Sequence, residues 1–219
     1  MNRVKVKICG IRSLEEAKAA VEAGADALGF NFWPQSPRYI TTEAAGEIIA
    51  KLPPLVASIG VFVNQTQHAI EAAATDLRLA AVQLHGDESP DFCAGIAAAK
   101  TIKAIRVGEG FEPTSIKRYP VSMILLDTGL SGSYGGTGQT FDWGIAVQCA
   151  SLARIMLAGG LTAENVGEAI AMVRPAAIDV CSGVEAEPGH KDLAKLRNFM
   201  LAVSKANSML PSPGGARCL

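Results

Sequence analysis

The sequence predicts a single α/β domain folded as a (β/α)8 barrel, or TIM barrel, with eight parallel strands. Short runs rich in Val, Ile and Leu alternate with Ala-rich, helix-like stretches along the 219 residues. The runs are almost continuously apolar, as parallel strands are when helices cover the sheet. They begin at intervals of roughly 21 to 32 residues, which leaves room for one strand, one helix and two short loops.

Eight runs have the composition expected of strands: residues 4–9, 26–32, 56–63, 80–85, 101–107, 121–127, 154–159 and 176–181. The main alternative is an open, doubly wound sheet. A dinucleotide-binding sheet of that kind should carry GxGxxG after its first strand, whereas this chain has CGIRS there. Eight units without a long interruption favour a closed barrel, expected over residues 1–205. Residues 206–219 are rich in Pro, Gly and Ser and are expected to form a flexible C-terminal tail.

Capping signals support the helices between these strands. Ser13 precedes LEEAKAAVEAG with Glu16 three residues later, which is a capping-box pattern, and Gly24 is placed to end that helix. Ser89 is followed by Pro90, which suits the first position of a helix. Further helices are expected to begin after Thr41, after Thr162 and after residues 190–192.

The composition excludes several classes of protein. Lys and Arg number 20 and Asp and Glu 21, so the net charge of −1 argues against a general nucleic-acid or polybasic membrane surface. Hydrophobic residues make up 49% and charged residues 19%, which is too apolar for a disordered chain. No apolar run is long enough to cross a membrane, and the first residues lack the apolar region of a signal peptide. We therefore expect a cytoplasmic protein.

The five cysteines fit neither a disulfide framework nor a zinc site, because their number is odd, their spacing is wide and no CxxC pair is present. No group of His, Cys and carboxylate residues has the spacing of metal ligands, so we expect no metal. Cys93 and Cys149 fall in predicted helices and are expected in the core, whereas Cys218 is expected to be exposed in the tail.

The active site of a (β/α)8 barrel lies at the carboxyl ends of the strands. Three glycine-rich turns are expected to meet there, at residues 135–138, 159–160 and 182–183. Glycine lets backbone N–H groups approach an anion closely, and the loops after strands seven and eight form the common phosphate site of such barrels. The residues expected to bind a phosphate are Gly136, Thr137, Gly138, Gly159, Gly160, Ser182 and Gly183.

Two residues at strand ends are candidates for proton transfer. Cys9 ends the first strand; it is either a buried thiol that packs like a small hydrophobic group or a general base with a lowered pKa. Asp127 follows the apolar residues MILL; it either caps a turn or acts as a general acid with a pKa raised by partial burial. Strands one and six lie across the barrel mouth from each other, so the two residues are expected to flank a substrate.

Three further polar residues are expected near the mouth. Arg38 lies in a loop beside Pro34 and Pro37 and is either a solvated surface residue or a ligand for a carboxylate. His85 either caps a loop or binds substrate. Asp179 either orients the phosphate loop or acts in catalysis. Two other histidines are expected at the surface, His68 and His190.

Eight motifs run in order from about residue 4 to 205: KICG at 7–10, NFWPQSPRYI at 31–40, GVFVN at 60–64, QLHGDE at 83–88, LLDT at 125–128, GGTGQTFDW at 135–143, LAGGL at 157–161 and DVCSGVE at 179–185. In these motifs the chain resembles the phosphoribosylanthranilate isomerase family. The pairing of KICG with GTGxxFDW is specific, whereas AGGL and SGVE alone are shared with other phosphosugar barrels.

The resemblance implies a cofactor-free Amadori rearrangement of N-(5-phosphoribosyl)anthranilate to 1-(2-carboxyphenylamino)-1-deoxyribulose 5-phosphate, a step of tryptophan biosynthesis. It implies that Cys9 removes the proton from sugar C2 and that Asp127 protonates the ring oxygen. Arg38 would hold the anthranilate carboxylate, and the glycine turns would hold the phosphate. The expected partner is this phosphorylated aminoaldose, bound by a monomer or a homodimer.

One residue departs from the family pattern, because Cys181 stands where a small hydroxyl or amide residue is expected. Other functions stay open. An isomerase of histidine biosynthesis would use two carboxylates and indole-glycerol-phosphate synthase a lysine acid, and Cys9 disfavours both. A non-catalytic phosphosugar-binding barrel would not need Cys9 or Asp127. A thiol hydrolase using Cys9 and His85 is disfavoured because strand four is remote from strand one.

Overall fold

The computed structural model describes residues 3–128 and 140–210, and within them the chain forms a closed barrel of eight parallel strands. The predicted fold class is therefore confirmed. The strands of the barrel are β1 Lys5–Cys9, β2 Ala27–Asn31, β3 Ala57–Phe62, β4 Ala81–Leu84, β5 Lys100–Val107, β6 Met123–Thr128, β7 Ile155–Leu157 and β8 Ala177–Val180.

The barrel closes between its first and last strands. β1 pairs with β2 on one side and with β8 on the other, in a register that sets Lys7 opposite Asp179 and Ile8 opposite Val180. Because side chains alternate along a strand, Lys7 and Asp179 share the inner face of the barrel, while Ile8 and Val180 face the helices. The register therefore decides which polar groups meet inside the barrel.

The described helices are α1 Leu14–Glu22, α2 Thr42–Ile49, α3 Gln67–Asp76, α4 Pro90–Gly95, α5 Trp143–Ala150, α6 Val166–Val173 and α7 Leu193–Met209. The caps predicted at Ser13, Thr41 and Ser89 are confirmed, since each side-chain oxygen accepts a hydrogen bond from a backbone N–H three residues later. Gly24 follows the end of α1 with φ +97°, a conformation that favours glycine.

Two apolar clusters hold the domain together. The larger one fills the space between the barrel and the helices, and Cys93 and Cys149 are buried in it as predicted. The smaller one lies inside the barrel and includes Ile59, Leu125 and Met156. Polar residues replace this inner packing towards the carboxyl ends of the strands, where the chemistry of a barrel enzyme is located.

Several details differ from the sequence prediction. The connection between β5 and β6 holds a 3-10 helix, Pro113–Arg118, in place of an α-helix. The sixth helix begins at Val166, because Asn165 accepts the N–H of Thr162 and residues 162–165 form a turn before it. After β8 the chain makes a short 3-10 helix and an antiparallel pair, β9 Glu185–Glu187 and β10 His190–Lys191, which the sequence pattern did not show.

The last helix continues beyond the predicted end of the barrel domain. The domain was expected to end at residue 205, whereas α7 reaches Met209. Helix α7 packs on α6 and α1, and Asn207 exchanges hydrogen bonds with the backbone of Val4, so residues 206–209 belong to the folded domain. No helix in the described parts of the chain is long and apolar enough to span a membrane.

Candidate active site

A single cavity at the carboxyl ends of the strands brings most of the predicted site residues together. Its lining includes Cys9, Arg38, His85, Asp127, Gly159, Gly160, Asp179, Ser182 and Gly183. Three others, Gly136, Thr137 and Gly138, lie outside the described residues. The predicted surface histidines, His68 and His190, are exposed.

Cys9 is the last residue of β1 and lines the cavity while only 8% of the residue is exposed. The neighbouring strand makes room for it at Gly29, where a Cβ atom would lie 2.9 Å from Cys9 Sγ and 2.9 Å from Lys7 Cε. The thiol and the Lys7 ammonium therefore share a space that only a glycine opposite them leaves free.

The surroundings of Cys9 favour its thiolate. The largest influence is a hydrogen bond with the Cys181 side chain, which lowers the pKa of Cys9 well below its usual value despite burial. The nearby charges of Lys7 and Lys191 lower this pKa further. The same hydrogen bond and burial raise the pKa of Cys181, so Cys181 is the protonated partner of the pair.

Lys7 lies on the inner face of β1, only 1% exposed, with its Nζ 2.9 Å from Asp179 Oδ1. Burial alone would lower the pKa of Lys7, but the charges of Asp179 and Cys9 and their hydrogen bonds hold it above its usual range. Burial raises the pKa of Asp179 to about 7, against the opposing effect of Lys7, and the charges of Cys9 and Asp127 add to the rise. The Lys7 ammonium thus lies beside two acidic groups, the Asp179 carboxyl and the Cys9 thiol.

Asp127 lies near the end of β6 and is 6% exposed. Its Oδ1 accepts the N–H of Thr128 at 2.8 Å, and its Oδ2 lies 3.3 Å from His85 Nε2. The two atoms are not aligned for a hydrogen bond, and His85 Nε2 therefore has no hydrogen-bond partner among the described residues. Gln83 Nε2 lies 2.9 Å from His85 Nδ1 and fixes the ring, so Asp127 and His85 both present polar atoms to the cavity.

Arg38 is held by a second group of charges. Its Nε and Nη2 donate to the two carboxylate oxygens of Glu185 at 2.8 and 2.7 Å. Lys191 donates to Glu185 Oε1 at 3.0 Å. Although burial opposes the change, Arg38 and Lys191 lower the pKa of Glu185 to about 2. Arg38 is thus fixed at the cavity wall, and its Nη1 donates to no other group in the part of the chain that the structure describes.

Two glycine turns also line the cavity. Gly159 has φ +84°, and a Cβ atom there would lie 2.3 Å from Thr128 Oγ1. At Gly183 a Cβ atom would lie 1.9 Å from the carbonyl oxygen of Leu161, which packs the two turns against each other. Within the described residues, the N–H groups of Gly160 and Gly183 make no hydrogen bond. Such free N–H groups on adjacent turns are suited to an oxyanion such as phosphate.

Sequence reasoning missed four residues that shape this site: Lys7, Gln83, Glu185 and Lys191. The first two carried a signal, because a polar residue within an otherwise apolar strand is costly to bury unless the barrel interior supplies a partner. Glu185 and Lys191 carried no such signal, since they lie on the β9–β10 pair and reach the site only once the chain has folded. No group of three or more His, Cys, Asp and Glu side chains in the described ranges is arranged to hold a metal.

Comparison with known proteins identifies close relatives. A family model described as N-(5'phosphoribosyl)anthranilate (PRA) isomerase matches residues 6–202. The N-(5'-phosphoribosyl)anthranilate isomerase of Pelobacter propionicus is 49% identical over 205 residues, covering 94% of this chain and 98% of that protein. The protein of the same name from Geobacter sulfurreducens is 50% identical over 197 residues, covering 90% and 97%.

Solved structures agree with this result. The phosphoribosyl anthranilate isomerase of Thermus thermophilus superposes with a TM-score of 0.85 at 37% identity and covers 92% of this chain and 99% of its own. A phosphoribosyl anthranilate isomerase in complex with reduced 1-(o-carboxyphenylamino)-1-deoxyribulose 5-phosphate has a TM-score of 0.83 at 43% identity, with the same coverage.

Proposed function

The chain belongs to the N-(5'-phosphoribosyl)anthranilate isomerase family of tryptophan biosynthesis, and on that premise we propose that Cys9 is the general base and Asp127 the general acid of its reaction. The isomerase predicted from the motifs is confirmed at the level of the family. The observation that carries the residue assignment is that Cys9 and Asp127 line one cavity, with the Cys9 thiol beside a buried ammonium.

The general base needs to be a thiolate near neutral pH. The surroundings of Cys9 favour this form, because the Cys181 thiol and the Lys7 ammonium both stabilise its negative charge and lower its pKa. Lys7 is itself held in place by Asp179. The Cys9 thiolate would take the proton from C2 of the opened sugar, and the positive charge of Lys7 keeps the thiol ionised for that step.

The general acid must deliver a proton to the ring oxygen of the furanose. Asp127 Oδ1 is occupied by the N–H of Thr128, which leaves Oδ2 to carry that proton. Burial of Asp127 at the cavity wall keeps bulk water from competing for the transfer. Ring opening at this oxygen and proton removal at C2 occur at different atoms, so an acid and a base from different strands suit the reaction.

Two anchors would hold the substrate between these groups. The N–H groups of Gly160 and Gly183 would bind its phosphate, and Nη1 of Arg38 would bind the anthranilate carboxylate. The ion pair with Glu185 orders the Arg38 side chain before the substrate arrives, so less freedom is lost on binding. Anchoring both ends uses binding energy to position the reacting carbon.

Substitution of each proton-transfer residue tests the assignment. In a fluorescence assay of N-(5-phosphoribosyl)anthranilate consumption, coupled to excess indole-glycerol-phosphate synthase, Cys9→Ala and Asp127→Asn should each lower kcat by about 10²–10⁴-fold. Cys93→Ala is the matched control, because that cysteine is buried away from the cavity and its substitution should leave kcat unchanged.

Circular dichroism should show that both site variants stay folded. Near-normal turnover in either one would contradict the role proposed for that residue. Near-normal ligand binding with no turnover by the unsubstituted, folded protein would favour a non-catalytic phosphosugar-binding barrel instead.

A further inference from the structure

We propose that Cys9 and Cys181 are a modification site, a pair of thiols that a hydroperoxide converts to a disulfide and that a dithiol restores. Cys181 is the residue that departs from the family pattern, and the structure gives it a position beside the proposed base. The loss of activity on oxidation rests on the proposed role of Cys9, whereas formation of the disulfide does not.

The strand register brings the two cysteines side by side. Lys7 is paired with Asp179 and Ile8 with Val180 across β1 and β8, so the next residues, Cys9 and Cys181, continue the same alignment. Both side chains lie on the inner side, two residues after the Lys7–Asp179 ion pair. Adjacent strands are about 4.8 Å apart, and disulfides join Cα atoms roughly 4.4–6.8 Å apart.

Side-chain contacts confirm that the sulfur atoms point towards a common space. Cys181 Sγ donates to Glu185 Oε1 at 3.6 Å, and the Cys181 side chain is near enough to Cys9 to lower the pKa of the Cys9 thiol. A Cβ atom on Gly10, the residue after Cys9, would lie 3.2 Å from Cys181 Sγ. Both cysteines also line the mouth cavity, which gives a small peroxide access to them. The register and these contacts therefore place the two thiols within the range that a disulfide spans.

The two thiols have different roles in the oxidation. The Cys9 thiolate attacks the peroxide oxygen, the O–O bond breaks, and with one proton taken up the products are the Cys9 sulfenic acid and water or an alcohol. The Cys181 thiol then attacks the Cys9 sulfur; the S–S bond forms, and the hydroxyl leaves as water with the Cys181 proton. The two thiols lose two electrons and the peroxide gains them.

The surrounding charges favour the second step once the first has occurred. Conversion of Cys9 to the uncharged sulfenic acid removes the negative charge that raises the pKa of Cys181. Lys191 Nζ lies 3.7 Å from Cys181 Sγ, and the Arg38 guanidinium is nearby, so both cations then stabilise the Cys181 thiolate. Cys93 and Cys149 are buried, and desolvation raises the pKa of each.

The test combines peptide mapping with activity. After treatment with hydrogen peroxide, a digest of the unreduced protein should contain Cys9 and Cys181 in one linked peptide, lighter by two hydrogen atoms than the sum of its parts. Activity should be lost in parallel and should return with dithiothreitol. Cys218→Ser should respond in the same way as the unsubstituted protein.

Cys181→Ser separates a disulfide from simple oxidation of the base. Treated with excess hydrogen peroxide and compared with its own untreated activity, this variant should lose turnover that dithiothreitol does not restore. The Cys9 sulfenic acid then has no thiol partner, and a second peroxide oxidises it to the sulfinic acid while being reduced to water. Reversible loss in Cys181→Ser, or loss in the unsubstituted protein without the linked peptide, would overturn the proposal. If Cys9→Ala kept its turnover, the proposed role of Cys9 in catalysis would fail. The linked peptide from the oxidised, unsubstituted protein would still demonstrate the disulfide.

Discussion

Two buried lysine–carboxylate pairs on opposite sides of the barrel have almost the same dimensions and different surroundings. The Nζ–O distance is 2.9 Å between Lys7 and Asp179 and 2.7 Å between Lys103 and Glu88. All four side chains are at most 7% exposed. Both pairs therefore bear the desolvation cost of burying charge, and their other contacts decide what each pair does.

The other hydrogen-bond partners of Lys103 and Glu88 are backbone groups. Lys103 Nζ also donates to the carbonyl oxygens of Leu84 and Gly86, at 3.3 and 2.7 Å. The Glu88 carboxylate accepts from the N–H groups of Gly86 and Asn64. With these partners the pair holds the loop after β4 in one conformation, and it is absent from the lining of the cavity.

The other neighbours of Lys7 and Asp179 are titratable side chains. Besides Asp179, Lys7 interacts with the Cys9 thiol, and Asp179 is affected by the charge of Asp127. The charges of Lys7 and Asp179 act on titratable groups that line the cavity, and so change the proton affinity of those groups. Lys103 and Glu88 act in opposite directions on the buried Cys93 thiol, which lies outside the cavity, and their other contacts fix backbone geometry. The remaining partners of a buried ion pair, rather than its length, thus distinguish a functional from a structural pair.

Of the two pairs, the larger effect on kcat is expected at Lys7. Lys7→Gln removes the positive charge beside Cys9 and should lower kcat about 10²- to 10³-fold, because a unit charge at contact distance is worth roughly 4 kcal/mol at an effective dielectric constant of about 20. The pH profile of Cys9 alkylation by iodoacetamide, followed by peptide mapping, should move to higher pH. A lower kcat with an unmoved alkylation profile would show that Lys7 does not act through the thiolate.

Lys103 should give the opposite result. Lys103→Met leaves Glu88 buried without its cation and should lower the free energy of unfolding by about 3–5 kcal/mol, while kcat of the folded protein stays unchanged. Urea unfolding and the coupled assay measure the two quantities. The double variant Lys103→Met with Glu88→Gln should recover part of the lost stability. A fall in kcat of Lys103→Met without loss of stability would show that Lys103–Glu88 is not a purely structural pair.

The strands and caps were predictable because they depend on nearby residues. All eight strands lie within two residues of the predicted runs, and Ser13, Thr41 and Ser89 cap helices where the pattern indicated. The strand-end rule also placed Cys9 and Asp127 in one cavity, because the topology of a parallel barrel gathers those ends without any detail of packing.

The partners of the site residues were not predictable, because they are set by closure of the barrel. Lys7 meets Asp179 only when β1 pairs with β8, 172 residues apart in sequence. Arg38 meets Glu185 only because residues after β8 turn back over the mouth, 147 residues away. Such contacts depend on register and on loop path, for which a single sequence gives no local signal.

The smallest effect concerns the pH dependence of stability. The pKa of Asp179 is about 7 in the folded protein, against an ordinary value of 3.8. Between these values the folded state holds a proton that the unfolded chain lacks, so the free energy of unfolding should fall as pH rises from about 4 to 7 and level off above. We expect a fall of about 1–3 kcal/mol, because neighbouring acids share the proton.

Asp179→Asn should remove this part of the pH dependence, as measured by urea unfolding across the same interval. The variant leaves Lys7 without its carboxylate, so the matched control is the double variant Lys7→Gln with Asp179→Asn, which removes both charges. If either variant followed a curve parallel to that of the unsubstituted protein, the proton would reside elsewhere in the cluster. In that case the Lys7–Asp179 pair would differ from the Lys103–Glu88 pair only in its effect on Cys9.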